Sequence, residues 1–445
     1  MSVEGVVEPP AVARLVGWLA RRPRLVGAGA VAAVAVAFVA LQPLSSPWWT
    51  GGDADSTYVA SGLRLFAGQP TKYFDHPGVP LQEAAAAVFT VSWAVDSHGK
   101  SRADAAQGWL WNLDSTRPYL RTIASVLFVG SALLVFLVLS AVFGRAAWGV
   151  LGGLLFLGVP DLIGAASILR PDGLVAALCV AGVGLLVLFV RRGSPGYYLA
   201  AAAVAGYALT VKLPGVALVP ALLLTLVLAP PAAGSGRRLA ADLRRVARRH
   251  RVALGAGLVV WLAALVLLNL GAATPKATYV RDLLAGLAAV GAGAALVWVA
   301  VRRTRLRELG GLLLLAAGAY LAGVIVPNLF YASTPPAMVR WIGRNLNGQD
   351  VTSSSSGPEL SGLHVLRPWI PLLALAVLGL VRGLAGRDRT VLLWAVTAVV
   401  TGLLALTQFP NPRYFEPAVA LSIPLALIAL RKTRLPWPAV AAIAG

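Results

Sequence analysis

Apolar residues in this chain gather into runs of spanning or near-spanning length, and short polar breaks part them. An α-helix rises about 1.5 Å per residue, so roughly 20 apolar residues cross a hydrocarbon core about 30 Å thick. Twelve such runs are read, at 25–44, 119–142, 146–164, 173–190, 197–211, 214–229, 252–271, 283–301, 309–327, 368–381, 390–408 and 415–430. Lys212 interrupts the fifth and sixth, and Pro371 falls inside the tenth. A last apolar stretch, Pro436 to Gly445, is too short to span and reads as a helix cut off by the end of the sequence. The pattern predicts an all-α, polytopic membrane protein of about twelve transmembrane helices, forming one domain over residues 1–445.

Two outward segments break the regular spacing. The first, 45–118, holds two amphipathic stretches, Thr57 to Ala67 and Val79 to Val95, expected as helices on the membrane surface. The second, 328–367, carries Thr334-Pro335-Pro336 and the serines 353 to 356, and reads as loop. No internal repeat is evident, which disfavours a transporter built from inverted halves.

Composition agrees with the pattern: 58% of residues are hydrophobic and 13% charged, against about a quarter charged in soluble domains. The net charge of +20 does not point to nucleic acid, because the arginines sit in the breaks between apolar runs. With the N-terminus inside, the inward breaks hold 24 of 38 basic and 5 of 18 acidic residues, a net +19. The outward parts hold the other 14 and 13, a net +1. That bias orients the protein in a cytoplasmic membrane, N-terminus inside. Arg21-Arg22-Pro23-Arg24 resembles the flank of a signal peptide, but the run that follows spans and no small-residue cleavage site ends it, so a retained helix is expected. The single cysteine, Cys179, lies in an apolar run, so no internal disulfide and no thiolate metal site is expected.

In this orientation the unusual polar clusters all face outward. Asp53-Ala54-Asp55 places two carboxylates two residues apart. They can share a divalent cation, one can act as a general base beside the other, or one can cap the helix that follows. Asp75-His76-Pro77-Gly78 is either a turn and helix start or a donor to an anionic group. Arg170-Pro171-Asp172-Gly173 opens the fourth span, where Arg170 can snorkel and Asp172 can cap. Lys212 interrupts apolar sequence, a costly placement unless the ammonium meets a cavity or an anion. Arg413, Tyr414 and Glu416 precede the last full span and serve as interfacial anchors or as ligands. Carboxylates at one end and cations near the membrane plane suit a phosphate carried on a lipid.

The ordered set resembles the GT-C superfamily of integral-membrane glycosyltransferases, most closely the protein O-mannosyltransferase and lipid A aminoarabinose transferase branch. That branch has an acidic residue after the first helix, a Y-F-x-(H/K)-P turn and an aspartate heading a later helix. A T-K-x-P-G-like turn and a late R-Y-x-x-P turn follow. The counterparts here are Asp53 or Asp55, Tyr73-Phe74-Asp75-His76-Pro77, Asp172, Thr210 to Gly215, and Arg413-Tyr414-Phe415-Glu416-Pro417. The usual H-P-P is H-P-G here.

The resemblance implies inverting transfer of a monosaccharide from a polyprenyl-phosphate donor at the outer face of the membrane. The acceptor, whether glycan, lipid or protein, is left open. Asp53 or Asp55 would be the catalytic carboxylate, or both would hold a divalent metal, since the family has metal-using and metal-free members. Asp75, His76, Arg170, Asp172, Lys212, Arg413, Tyr414 and Glu416 would bind substrate. The rival reading is a lipid-linked-sugar flippase or transporter without chemistry, which predicts charges along a central path rather than at one surface.

Overall fold

The computed structural model describes residues 21–41, 55–69, 78–96, 99–111, 117–159, 169–229, 251–269, 304–327, 366–408 and 412–433, with a few more between 162 and 166 and between 239 and 249. Every regular element among them is helical. In chain order these are α1 (Pro23–Ala40), α2 (Asp55–Phe66), α3 (Val79–Asp96), α4 (Arg102–Trp111), α5 (Arg117–Phe143), α6 (Ala146–Leu157) and α7 (Asp172–Arg192). They continue with α8 (Pro195–Val211), α9 (Leu218–Leu228), α10 (Arg251–Asn269), α11 (Thr304–Ile325), α12 (Ile370–Ala385), α13 (Val391–Gln408) and α14 (Glu416–Lys432). The expected spans at 25–44, 119–142, 173–190, 197–211 and 415–430 each coincide with a helix to within a few residues. The expected span 283–301 and residues 328–365 of the expected loop 328–367 lie outside the described residues, while 366 and 367 already belong to a 3-10 turn that leads into α12.

Among the described residues, five helices are long and apolar enough to cross a membrane: Pro23–Ala40, Leu120–Phe143, Asp172–Arg192, Glu308–Ile325 and Leu366–Ala385. Shorter apolar helices accompany them. Large aliphatic side chains such as Val252, Leu258, Val259, Val377 and Val399 stand exposed on the outside of the bundle. In water such a face would be a liability, whereas in lipid it is the solvated surface. The chain is a multi-pass membrane protein.

α7 is the hub. It packs against α5, α8, α9, α13 and α14 and is buried along most of its length. Gly193, at φ 66°, closes it in the left-handed conformation that glycine adopts without a Cβ penalty, and its N–H donates to Phe189 O at 2.7 Å. Lipid tails are as apolar as the helices, so association depends on close packing of small residues. α8 and α11 show this most plainly. A Cβ on Gly206 would stand 2.0 Å from Tyr320 O, and one on Gly323 would stand 2.0 Å from Ala203 O. The two backbones therefore touch.

Several expectations are adjusted. α6 ends at Leu157 rather than running to 164. Pro371 lies in the first turn of α12, where its missing N–H costs nothing, so it starts that helix rather than breaking it. The two helices of the first outward segment are present as α2 and α3, but they are more buried than a surface-lying helix would be. Gly62 of α2 sits against Ala85, the Gln82 carbonyl and the Ala86 amide of α3. A further helix, α4, follows them. Its Arg102 is buried, stacks over Phe66 and Trp93 at 5.3 and 5.2 Å, and donates to Phe66 O and Leu267 O at 3.3 and 3.4 Å. This one guanidinium ties α2, α3 and α4 to the C-terminal end of α10.

The bundle has two distinct ends. At one, Arg191 near the end of α7 donates to Val142 O of α5 at 2.9 Å and pairs with Asp388, between α12 and α13, at 3.0 Å. α7 is 21 residues long, so its other end, at Asp172, lies about 30 Å away along the helix.

Candidate functional site

The site is built where α8 stops. At Lys212 the backbone turns extended, at φ −164° and ψ 153°, and a 3-10 turn over Leu213–Ala217 leads into α9. Pro214 cannot continue the hydrogen-bond ladder of α8, and Gly215 folds back against its last turn. A Cβ on Gly215 would meet Ala208 C at 2.4 Å, and its N–H donates to Lys212 O at 3.0 Å. Thr210 hydrogen-bonds back to Tyr207 O at 2.7 Å. This geometry removes Lys212 from the helix and aims its side chain into the protein, where it is 4% exposed.

Lys212 Nζ is hydrogen-bonded and ion-paired to Asp172 Oδ1. Asp172 occupies the first turn of α7, where the helix dipole favours a carboxylate. Pro171 is the cap residue there, and the Asp172 carboxylate accepts from Lys212. The same ammonium lies 4.2 Å from the centre of the Tyr414 ring, a cation–π contact. Tyr414 is buried in the 3-10 turn Pro412–Phe415 that delivers Glu416, 1% exposed, to the first turn of α14.

The first outward segment reaches the same point. Gly78 N–H donates to Val211 O, next to Lys212, at 2.9 Å. Gly78 has φ 48°, and a Cβ on it would fall 2.0 Å from the Tyr58 ring. Proline could supply neither the N–H nor the positive φ, so H-P-G in place of H-P-P follows from the local packing. Four motif turns, far apart in sequence, therefore converge around Lys212.

The remaining sequence candidates stand as follows. Arg170 is half-buried two residues before Asp172 and lines a small pocket between α5 and α7 with Leu127, Phe128, Ser131, Leu162 and Leu174. Asp55 opens α2, but its side chain lies outside the described residues, as do all of Asp53, Asp75 and His76 and the side chain of Arg413. Among the described residues no group of three His, Cys, Asp or Glu side chains is placed to hold a metal, and the Asp53 and Asp55 side chains are not among those residues. Cys179 is a buried free thiol within α7. Sequence reading missed Glu83 of α3 and Arg121 of α5, 6% and 2% exposed. The signal was available for Arg121, a charge within the apolar run 119–142, and such a charge is a candidate by default.

Residues 114–241 match the family model described as dolichyl-phosphate-mannose-protein mannosyltransferase. That stretch, 128 of 445 residues, contains Arg170, Asp172 and Lys212 and supports the resemblance to the GT-C glycosyltransferases. No curated protein matches the chain significantly. Two solved structures of ArnT from Cupriavidus metallidurans are similar to it. The apo form is 16% identical, covering 94% of this chain and 77% of that one, with a TM-score of 0.30. The form bound to undecaprenyl phosphate is 19% identical, covering 97% and 80%, with a TM-score of 0.29.

Proposed function

We propose that the protein transfers a monosaccharide from a polyprenyl-phosphate donor to an acceptor hydroxyl at the outer face of the cytoplasmic membrane. In this reading it has about twelve spans in one domain and its N-terminus inside. The observation that carries the reading is the convergence of the motif turns on Lys212, at the end of the bundle opposite the Arg191–Asp388 pair. A flippase would instead distribute its charges along a path through the bundle. The family match adds a donor class, since a dolichyl phosphate is a polyprenyl phosphate.

In the mechanism, Asp53 or Asp55 accepts the proton of the acceptor O–H; were a divalent cation bound, the same two carboxylates would hold it and it would make that hydroxyl more acidic. The oxygen attacks the anomeric carbon as the bond from that carbon to the phosphate oxygen breaks, with inversion. Polyprenyl phosphate leaves with the extra negative charge. Lys212, Arg170 and Arg413 stabilise that charge, which counts most in the transition state. Asp172 and Tyr414 hold Lys212 in place before donor binds, while Asp75, His76 and Glu416 contact the donor or acceptor.

The test is release of polyprenyl phosphate by the full chain in vesicles supplied with a panel of polyprenyl-phosphate sugars. Release is expected with at least one donor, and Asp53→Asn or Asp55→Asn should lower it by about 10²–10⁴-fold. Release from no donor, or full activity in both variants, overturns the reading.

A further inference from the structure

A cluster of exposed arginines lies between α9 and α10. Between α9 and α10 the chain runs Arg237-Arg238-Leu239-Ala240-Ala241-Asp242-Leu243-Arg244-Arg245-Val246-Ala247-Arg248-Arg249-His250-Arg251. Ala241, Arg244, Arg245, Arg248 and Arg249 are helical and exposed, and they border one open recess, with Arg248 Nε donating to Arg244 O at 3.4 Å. Their spacing of i, i+3, i+4, i+7 and i+8 is that of a single helix face. Leu239, on the opposite side of the helical wheel, is buried. Leu239 is thus turned inward while Arg244, Arg245, Arg248 and Arg249 are exposed.

Its place is set by its neighbours. α9 starts beside Lys212 and runs away from it, and α10 begins at Arg251 and ends where Leu267 O accepts from Arg102 of the first outward segment. The arginine face thus lies at the end of α10 away from the Arg102 contact. α10 adds an apolar, exposed flank immediately after it, with Val252, Leu254 and Leu258 turned outward.

We propose that this face binds the phosphate headgroups of anionic phospholipids in the membrane leaflet opposite the transfer site. Positive-inside bias alone requires charge in the segment but not four arginines on one face. Guanidinium forks match phosphate oxygens two at a time, and the exposed apolar flank of α10 keeps the acyl chains of the same lipid within reach. The occupant is a lipid rather than an acidic protein, because the face adjoins a helix whose own surface is lipid-facing.

The test uses the full chain, purified in detergent and exchanged into phosphatidylcholine vesicles with or without phosphatidylglycerol, followed by native mass spectrometry of retained lipid. Wild type should retain phosphatidylglycerol in preference to phosphatidylcholine. Arg248→Gln/Arg249→Gln should weaken that retention by about fivefold for each arginine removed. Arg248→Lys/Arg249→Lys keeps the charge and should retain more phosphatidylglycerol than the glutamine pair. Equal retention in wild type and the glutamine pair overturns the proposal. Equal loss in both pairs also overturns it, because the loss is then structural. Displacement of the lipid by inorganic phosphate would assign the site to a free anion, and preferential capture of an acidic polypeptide over vesicles would assign it to a protein. Either result removes the lipid. The readout does not depend on transfer, so it stands or falls apart from the proposed activity.

Discussion

Lys212 and Asp172, forty residues apart in sequence, form an ion pair whose two side chains are each 4% exposed. Each is the other's main compensation for leaving water. Removing one partner from such a pair costs about 3–5 kcal/mol, whereas replacing both by apolar residues is often neutral. Lys212→Gln and Asp172→Asn should therefore each lower the melting temperature in detergent, and Lys212→Met/Asp172→Leu should restore most of it. Transfer should stay abolished in the double variant, because stability returns without the cation. A double variant that melts like wild type and still transfers would strip the pair of any role in the site.

Gly78 reads out the junction between the first outward segment and the Lys212 turn. Gly78→Ala places a non-glycine residue at positive φ, at a cost of about 1–2 kcal/mol, and drives its Cβ into the Tyr58 ring. Transfer should fall more than stability, since the Gly78 to Val211 hydrogen bond positions the site. Adding Tyr58→Ala makes room and should recover part of the activity. If Gly78→Ala transfers at the wild-type rate, the first segment does not need this contact.

Asp388 gives a pH signature at the opposite end. Burial raises its pKa, but hydrogen bonds from Thr390 and the charge of Arg191 outweigh burial and hold it below the ordinary carboxylate value. The folded pKa is lowered, so the stabilisation is present above the unfolded value, about 3.9, and is lost as pH falls through the folded value. Thermal unfolding of wild type followed from neutral to acid pH should show this loss, and Asp388→Asn should flatten it. An identical acid limb in the two proteins would show that the pair with Arg191 contributes nothing.

Orientation is tested by labelling. Lys100 and Arg389 are exposed, while the native Cys179 is buried. A membrane-impermeant thiol reagent applied to intact cells should reach Lys100→Cys and not Arg389→Cys. The reverse pattern would put the Lys212 cluster on the cytoplasmic side and end the outer-face reading.

The long apolar helices were legible in the sequence because lipid enforces a local rule. Each crossing must satisfy its own backbone within one helix and present apolar side chains over a set length, so the run 173–190 already announces α7. Asp172 and Lys212 stood out for the same reason, as charges at the margins of apolar runs. Their partners did not. That the Asp172 carboxylate goes to an ammonium rather than to its own helix cap depends on α7 beginning where α8 ends, and on the 3-10 turn over Leu213–Ala217 aiming Lys212 inward. That Tyr414 stacks on the same cation depends on α14 returning to α7 some 240 residues later. The exchange of H-P-P for H-P-G was visible as a departure, but its cause, the Tyr58 ring beneath Gly78 and the Val211 carbonyl beside it, is a contact between helices. Hydrophobic periodicity records how each segment meets lipid. Only tertiary packing decides which polar groups meet one another, because that depends on positions distant in the chain.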